Sequence, residues 1–186
     1  PTTTSSTIQI VRSGGDPRDG RPKVKATAPK DGGWPTTVPV VVEFSESINE
    51  DSVLPTSANG TDGKVILRVA GTTTALPCSY DFVAAGRVLV LRPVAPLSNE
   101  QNPTYEVVLL PGGRDVDGVR FSVPDDGTVL AEFQVNQDVS FTDGRILTTF
   151  PRDNQGDGLR ETNYYVFLDR PANAASITAA NFLLLI

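Results

Sequence analysis

Residues 26–31, Ala26-Thr27-Ala28-Pro29-Lys30-Asp31, lead into a valine-rich segment, and residues 148–153, Thr148-Thr149-Phe150-Pro151-Arg152-Asp153, lead into an aromatic one. The parallel continues: Val42-Glu43-Phe44-Ser45-Glu46 is answered by Tyr165-Val166-Phe167-Leu168-Asp169, and Asp51-Ser52-Val53 by Ala175-Ser176-Ile177. The separation drifts from 122 residues at the prolines to 123 at the phenylalanines and 124 at the serines. One unit with its linker is therefore about 120 residues long, the size of a β-sandwich module. A recurring module predicts an array, so the fold of one unit decides the fold of the chain.

Within the first unit the apolar residues recur with the period of strands. Val38, Val40, Val42 and Phe44 share one face, while Pro39, Val41 and Glu43 take the other, the alternation of a half-buried strand. Val65, Leu67 and Val69 repeat the pattern after the turn Asn59-Gly60-Thr61-Asp62-Gly63, and Cys78, Tyr80 and Phe82 form a third set. Val88-Leu89-Val90-Leu91 is nearly continuous and stops at Arg92-Pro93, which fits a central strand buried on both sides. Tyr105, Val107 and Leu109 make another face, ended by Pro111-Gly112-Gly113, and Val129, Ala131, Phe133 and Val135 make the last. With Val24 and Ala26 in front, the expectation is an all-β sandwich of about seven antiparallel strands. The one helical hint is Asn49-Glu50-Asp51-Ser52-Val53, a single turn that opens after Ser47 and is halted by Pro55.

These signals divide the chain into three parts. Residues 1–22, Thr/Ser-rich and then Gly/Asp/Arg/Pro-rich, read as a linker, with Thr7-Ile8-Gln9-Ile10-Val11 fitting one edge strand. Residues 23–137 hold the sandwich, and residues 138–186 the start of a second unit. A segment of that length cannot close a sandwich alone. The apolar run Phe182-Leu183-Leu184-Leu185-Ile186 is thus expected to find cover in further sequence, in the first unit or in another molecule, where strand exchange is a specific route.

Composition narrows the function classes. In 186 residues, 39% are hydrophobic and 20% charged, a globular balance, and the net charge of −6 with scattered Lys and Arg argues against gripping nucleic acid. The chain begins Pro1-Thr2-Thr3 and contains no methionine, as an excised or processed piece would. No apolar run approaches the roughly 20 residues of a membrane-spanning helix. A single cysteine, Cys78, rules out an intramolecular disulfide and reads as a small core residue. Histidine is absent, which excludes Ser-His-Asp and Cys-His catalysis and removes the commonest zinc ligand.

The motif order resembles the bacterial immunoglobulin-like domains repeated in S-layer and other cell-surface proteins. Pro29-Lys30-Asp31-Gly32, Val38-Pro39 and Phe44-Ser45-Glu46 carry the likeness first. Pro93-Val94-Ala95-Pro96-Leu97, Tyr105-Glu106-Val107-Val108 and the turn Asp115-Val116-Asp117-Gly118 follow in the family's sequence. The resemblance covers Val24 to Val135, with a partial copy from about Ile146 that has a longer opening turn, Asp153-Asn154-Gln155-Gly156-Asp157-Gly158, and no Val-Pro. It implies an immunoglobulin-like sandwich outside the cell, in a spacer or adhesive role, with neighbouring repeats as partners and no catalytic residues.

Candidate ligand sites are few. Carboxylate pairs would suffice for a glycosidase, but the acidic residues here sit in Gly- and Pro-bearing turns, where Asp bonds its own backbone. Calcium is the cofactor such loops could hold: Asp153, Asn154 and Asp157, or Asp115 and Asp117, or Asp125 and Asp126. None fits an EF-hand, because Gln155 and Tyr164 fall where ligands belong. Trp34, placed between Gly33 and Pro35 in a loop, could stack on a surface glycan or protein ligand, or cap one end of the sandwich. Tyr105 is placed like a tyrosine corner, and Asn59-Gly60-Thr61 matches a glycosylation sequon yet is explained as a turn. The expected function is a non-catalytic spacer or interaction module of a bacterial surface or secreted protein, located extracellularly or in the cell envelope. The alternatives are a carbohydrate- or protein-binding adhesive module assisted by calcium, and an accessory domain of a larger secreted enzyme.

Overall fold

Strand-period sequence becomes strand throughout the computed structural model, which describes residues 20–136, 145–151 and 165–170. The strands are β1 (Val24–Ala28), β2 (Gly33–Trp34), β3 (Val40–Phe44), β4 (Val65–Val69), β5 (Cys78–Val83), β6 (Val88–Pro93), β7 (Thr104–Leu109), β8 (Thr128–Val135), β9 (Ile146–Phe150) and β10 (Tyr165–Leu168). The expected helical hint is one 3-10 turn, Glu50–Ser52, opened by Asn49 rather than Ser47. No helix among the described residues is long and apolar enough to cross a membrane. Much of the linker, the loop 153–158 and the apolar run 182–186 lie outside the described residues.

Two four-stranded sheets face each other, ordered β1-β3-β6-β5 and β2-β8-β7-β4. The chain changes sheets between β1 and β2. Pro29 has no N–H to continue the ladder, and Asp31 and Gly32 take positive φ; the Asp31 N–H then bonds Glu132 O, and β2 runs parallel to β8. Between the sheets, Val40, Val42, Phe44, Leu89 and Leu91 meet Val65, Leu67, Val107 and Phe133. Each such aliphatic side chain, fully buried, contributes about 1.5–3 kcal/mol. The continuous run in β6 is central and buried on both faces, Val88 through Leu91 being at most 1% exposed.

Three local expectations are corrected. First, β3 is not half-buried: Val41 and Glu43 are 3% and 4% exposed, because the hairpin of β9 and β10 lies over the outer face of this sheet. Second, Val129 does not share the core face and is 44% exposed. The register of β7 with β8 slips between Val107 and Val108, leaving Leu130 as an extra residue, and the bulge reverses the alternation so that Leu130 packs against the core. Third, Trp34 lies in the short strand β2 rather than in a loop.

The β9–β10 hairpin copies the register of β1 with β3. Val24 faces Phe44, a bulge follows, and Ala26, Thr27 and Ala28 face Glu43, Val42 and Val41. Likewise Ile146 faces Leu168, a bulge follows, and Thr148, Thr149 and Phe150 face Phe167, Val166 and Tyr165. Leu168 therefore takes the place of Phe44, and Phe167 that of Glu43. Aligning the sequences on their phenylalanines sets this strand one residue off, because aromatic identity is matched where the pleat is not.

Candidate functional site

The side chains singled out from sequence fall in separate parts of the molecule. Asp115 is fully buried, and its Oδ1 accepts the backbone N–H groups of Asp117 at 2.9 Å and Val119 at 2.8 Å. The Gly118 N–H bonds Asp115 O at 3.1 Å, which closes the turn. Asp115 is thus an internal acceptor of its own loop, while Asp117 is exposed. Asp125 and Asp126 are exposed in the turn that joins Pro124 O to the Gly127 N–H. Asp153, Asn154 and Asp157 lie outside the described residues. Among the described residues, no cluster of three His, Cys, Asp or Glu could hold a metal.

Several other polar side chains complete the architecture. The Tyr105 hydroxyl donates to Ser98 O at 2.6 Å, seven residues upstream, the bond that defines a tyrosine corner. Asp62 is held in its ionised form well below the usual carboxylate range, chiefly by the Ser57 hydroxyl and then by the Thr56 hydroxyl. Cys78 is 4% exposed, and burial pushes its thiol up to about 12, so it stays protonated and unreactive.

Trp34 is where chemistry-bearing groups converge. Its Nε1–H donates to Asp31 O at 2.6 Å, and the guanidinium of Arg145 lies 4.6 Å from its ring centroid. Arg145 Nη2 also donates to Gly33 O at 3.2 Å, and its Nε lies 3.4 Å from Asp169 Oδ2. The arginine precedes β9, so it ties that hairpin to β2. A second arginine acts in the opposite direction: the guanidinium of Arg87, beside β6, sits 5.4 Å from the Phe150 ring.

Asp169, fully buried, anchors the hairpin end of this arrangement. Its Oδ1 accepts the Arg145 backbone N–H at 3.0 Å and Arg170 Nε at 3.2 Å. Burial works against the charge, but the Arg145 backbone N–H and the Arg170 guanidinium outweigh it, so the carboxyl titrates below its ordinary value. Sequence reading singled out none of Arg145, Asp169 or Arg87. A signal was present, because Phe150 and Tyr165 stand where the first hairpin has Ala28 and Val41. Aromatic side chains on what should be an outer face ask for a partner.

No family model and no curated protein matches the chain. Among solved structures, it is similar to surface layer protein SbsC, domains 1-6, at 18% identity and a TM-score of 0.45, over 71% of this chain and 15% of that one. The N-terminal part of the bacterial S-layer protein SbsC gives 18% identity and a TM-score of 0.44, over 69% of this chain and 25% of that one.

Proposed function

We propose that the chain is a non-catalytic structural module of a bacterial surface or secreted protein, an immunoglobulin-like sandwich over residues 23–137 followed by the opening hairpin of a second such unit within 138–186. Strand order supports the immunoglobulin-like reading. Lettered along the chain as A, A′, B, C, D, E, F and G, strands β1 to β8 form sheets ABED and A′GFC, the arrangement of constant-type domains with a split first strand.

The observation that carries the proposal is a hydrogen-bond pair present in both hairpins. In the first, the Ser45 N–H bonds Lys23 O at 2.8 Å, and the buried Ser45 Oγ accepts the Lys23 N–H at 3.0 Å. In the second, the Asp169 N–H bonds Arg145 O at 3.0 Å, and the buried Asp169 Oδ1 accepts the Arg145 N–H at 3.0 Å. Register, bulge and a buried polar acceptor at one position make three coincidences that unrelated hairpins have no reason to share. Units repeated in series set the distance between whatever lies at their ends, and neighbouring units are their natural partners. Location outside the cell rests on the motif resemblance.

A calcium titration and a glycan array, each with thermal unfolding of the full chain, test this reading against an adhesive one. A ligand at 100 times its Kd would raise the Tm by about 5–10 °C. The expected result is no array signal and no saturable rise. A saturable rise with calcium or a glycan would replace the spacer by a ligand-binding module.

A further inference from the structure

We infer that the outer face of the β1-β3-β6-β5 sheet is a docking surface for the next unit, which seats on it the equivalent face of its own first hairpin with Arg145 as the clasp. The inference rests on the second hairpin being the start of a second unit and adds how two units are joined.

Equivalence of the two faces follows from the register. Partners across a ladder point to the same side, so Ala26 and Ala28 share the outer face of the first hairpin with Val41 and Glu43, and Thr148 and Phe150 share theirs with Tyr165 and Phe167. These are the surfaces that meet. Val41, Val88 and Phe150 are at most 5% exposed and form one cluster with Tyr165 and Phe167. Around Val41, Val88, Phe150 and Phe167 the space left between the faces is about 10 Å³, no more than one water requires, whereas toward Pro39, Val90 and Arg92 a cleft of about 380 Å³ stays open against Phe167 and Leu168.

Size and charge make the fit directional. Small side chains on the first face, Ala26, Ala28 and Val41, leave room for the large ones on the second, as layers of a packed core do. A face opposed to its own copy would be hollow in one case and overfilled in the other. Each unit also places an arginine on an aromatic ring of the other, Arg145 on Trp34 and Arg87 on Phe150. The Arg87 Nε is buried without a hydrogen-bond partner, so this side chain is held by its ring contact and by its Nη2 bond to Ser45 O at 3.4 Å. The two patches are equivalent in position but not in side chains, so the contact is directional, and it occupies this face of both units once formed. A third unit cannot join through it. The two units are therefore packed back to back through these faces.

Trp34 is the only tryptophan, so its fluorescence reports the joint directly. Wild type, Arg145→Ala and Phe150→Ala full chains are compared by acrylamide quenching, small-angle scattering and amide hydrogen exchange. Both substitutions lie in the second hairpin, and unchanged burial of Cys78 against a thiol reagent certifies the sandwich. Loss of the Arg145–ring contact alone lowers the docked-to-undocked ratio about two- to five-fold. The expected result is stronger quenching and a larger maximum dimension in both variants, with β9 and β10 amides protected in wild type. Protected β9 and β10 amides with quenching and dimension identical in all three proteins would overturn the joint and leave the second unit standing. Unprotected β9 and β10 amides in wild type would overturn both.

Discussion

A methyl group placed on Gly60 would overlap the carbonyl oxygen of Cys78, with φ already at +67°. Gly118 has a similar φ of +84° and open space around it. The two glycines therefore separate backbone strain from steric overlap. Gly118→Ala is expected to cost about 1 kcal/mol from the left-handed conformation alone. Gly60→Ala must also push the turn away from β5, and is expected to cost about 3 kcal/mol or more. Urea unfolding of the two variants measures the difference, and equal costs would show that the turn does not approach the strand as described. The Asn59-Gly60-Thr61 segment is tied within itself, the Thr61 hydroxyl donating to Asn59 Oδ1 at 3.0 Å. Its reading as a turn needed only the Asn-Gly step, which is local information.

The β8 bulge gives two adjacent residues opposite fates. Strict alternation puts Val129 in the core, whereas the slipped register leaves it 44% exposed and sends Leu130 inward. Leu130→Ala is expected to cost about 1–2 kcal/mol and Val129→Ala less than about 0.5 kcal/mol, measured as a shift in urea midpoint. The reverse order would restore the unbulged strand. Most strands were legible in the sequence because a two-residue period is carried by neighbouring positions. What escaped was non-local. Nothing around Leu130 announces a bulge, which depends on how β7 pairs with β8. Burial of the outer face of β3 depends on residues more than 100 positions away. The candidate site was legible only in part for the same reason. Trp34 stands out in the sequence as the sole tryptophan, but the arginine over its ring comes from the next hairpin.

The molecule as a whole joins a sandwich, held by a large apolar core, to a hairpin held largely by one apolar cluster and by charged groups around Asp169. The two parts should therefore respond differently to acid. Asp169 titrates below its ordinary value of 3.8 when folded, so its ionised form stabilises the hairpin at every pH above the unfolded value. That contribution falls away as pH drops through the folded pKa. Protonation removes the charge facing Arg145 and Arg170 and loosens the grip of Arg145 on Trp34. As pH is lowered from 7 to well below 3.8, acrylamide quenching of Trp34 is expected to rise once the carboxylate is protonated, while the far-ultraviolet circular dichroism of the sandwich holds. Asp62 also titrates low, but it lies in the loop after Pro55 and bonds Thr56 and Ser57, so its protonation does not reach the tryptophan. Asp169→Asn separates the two: it keeps an oxygen to accept the Arg145 N–H and abolishes the charge. In that variant quenching should already be high at pH 7 and flat over the whole acid range in which wild type responds. A pH response that persists unchanged in Asp169→Asn would place the acid-sensitive group elsewhere and remove Asp169 from the joint.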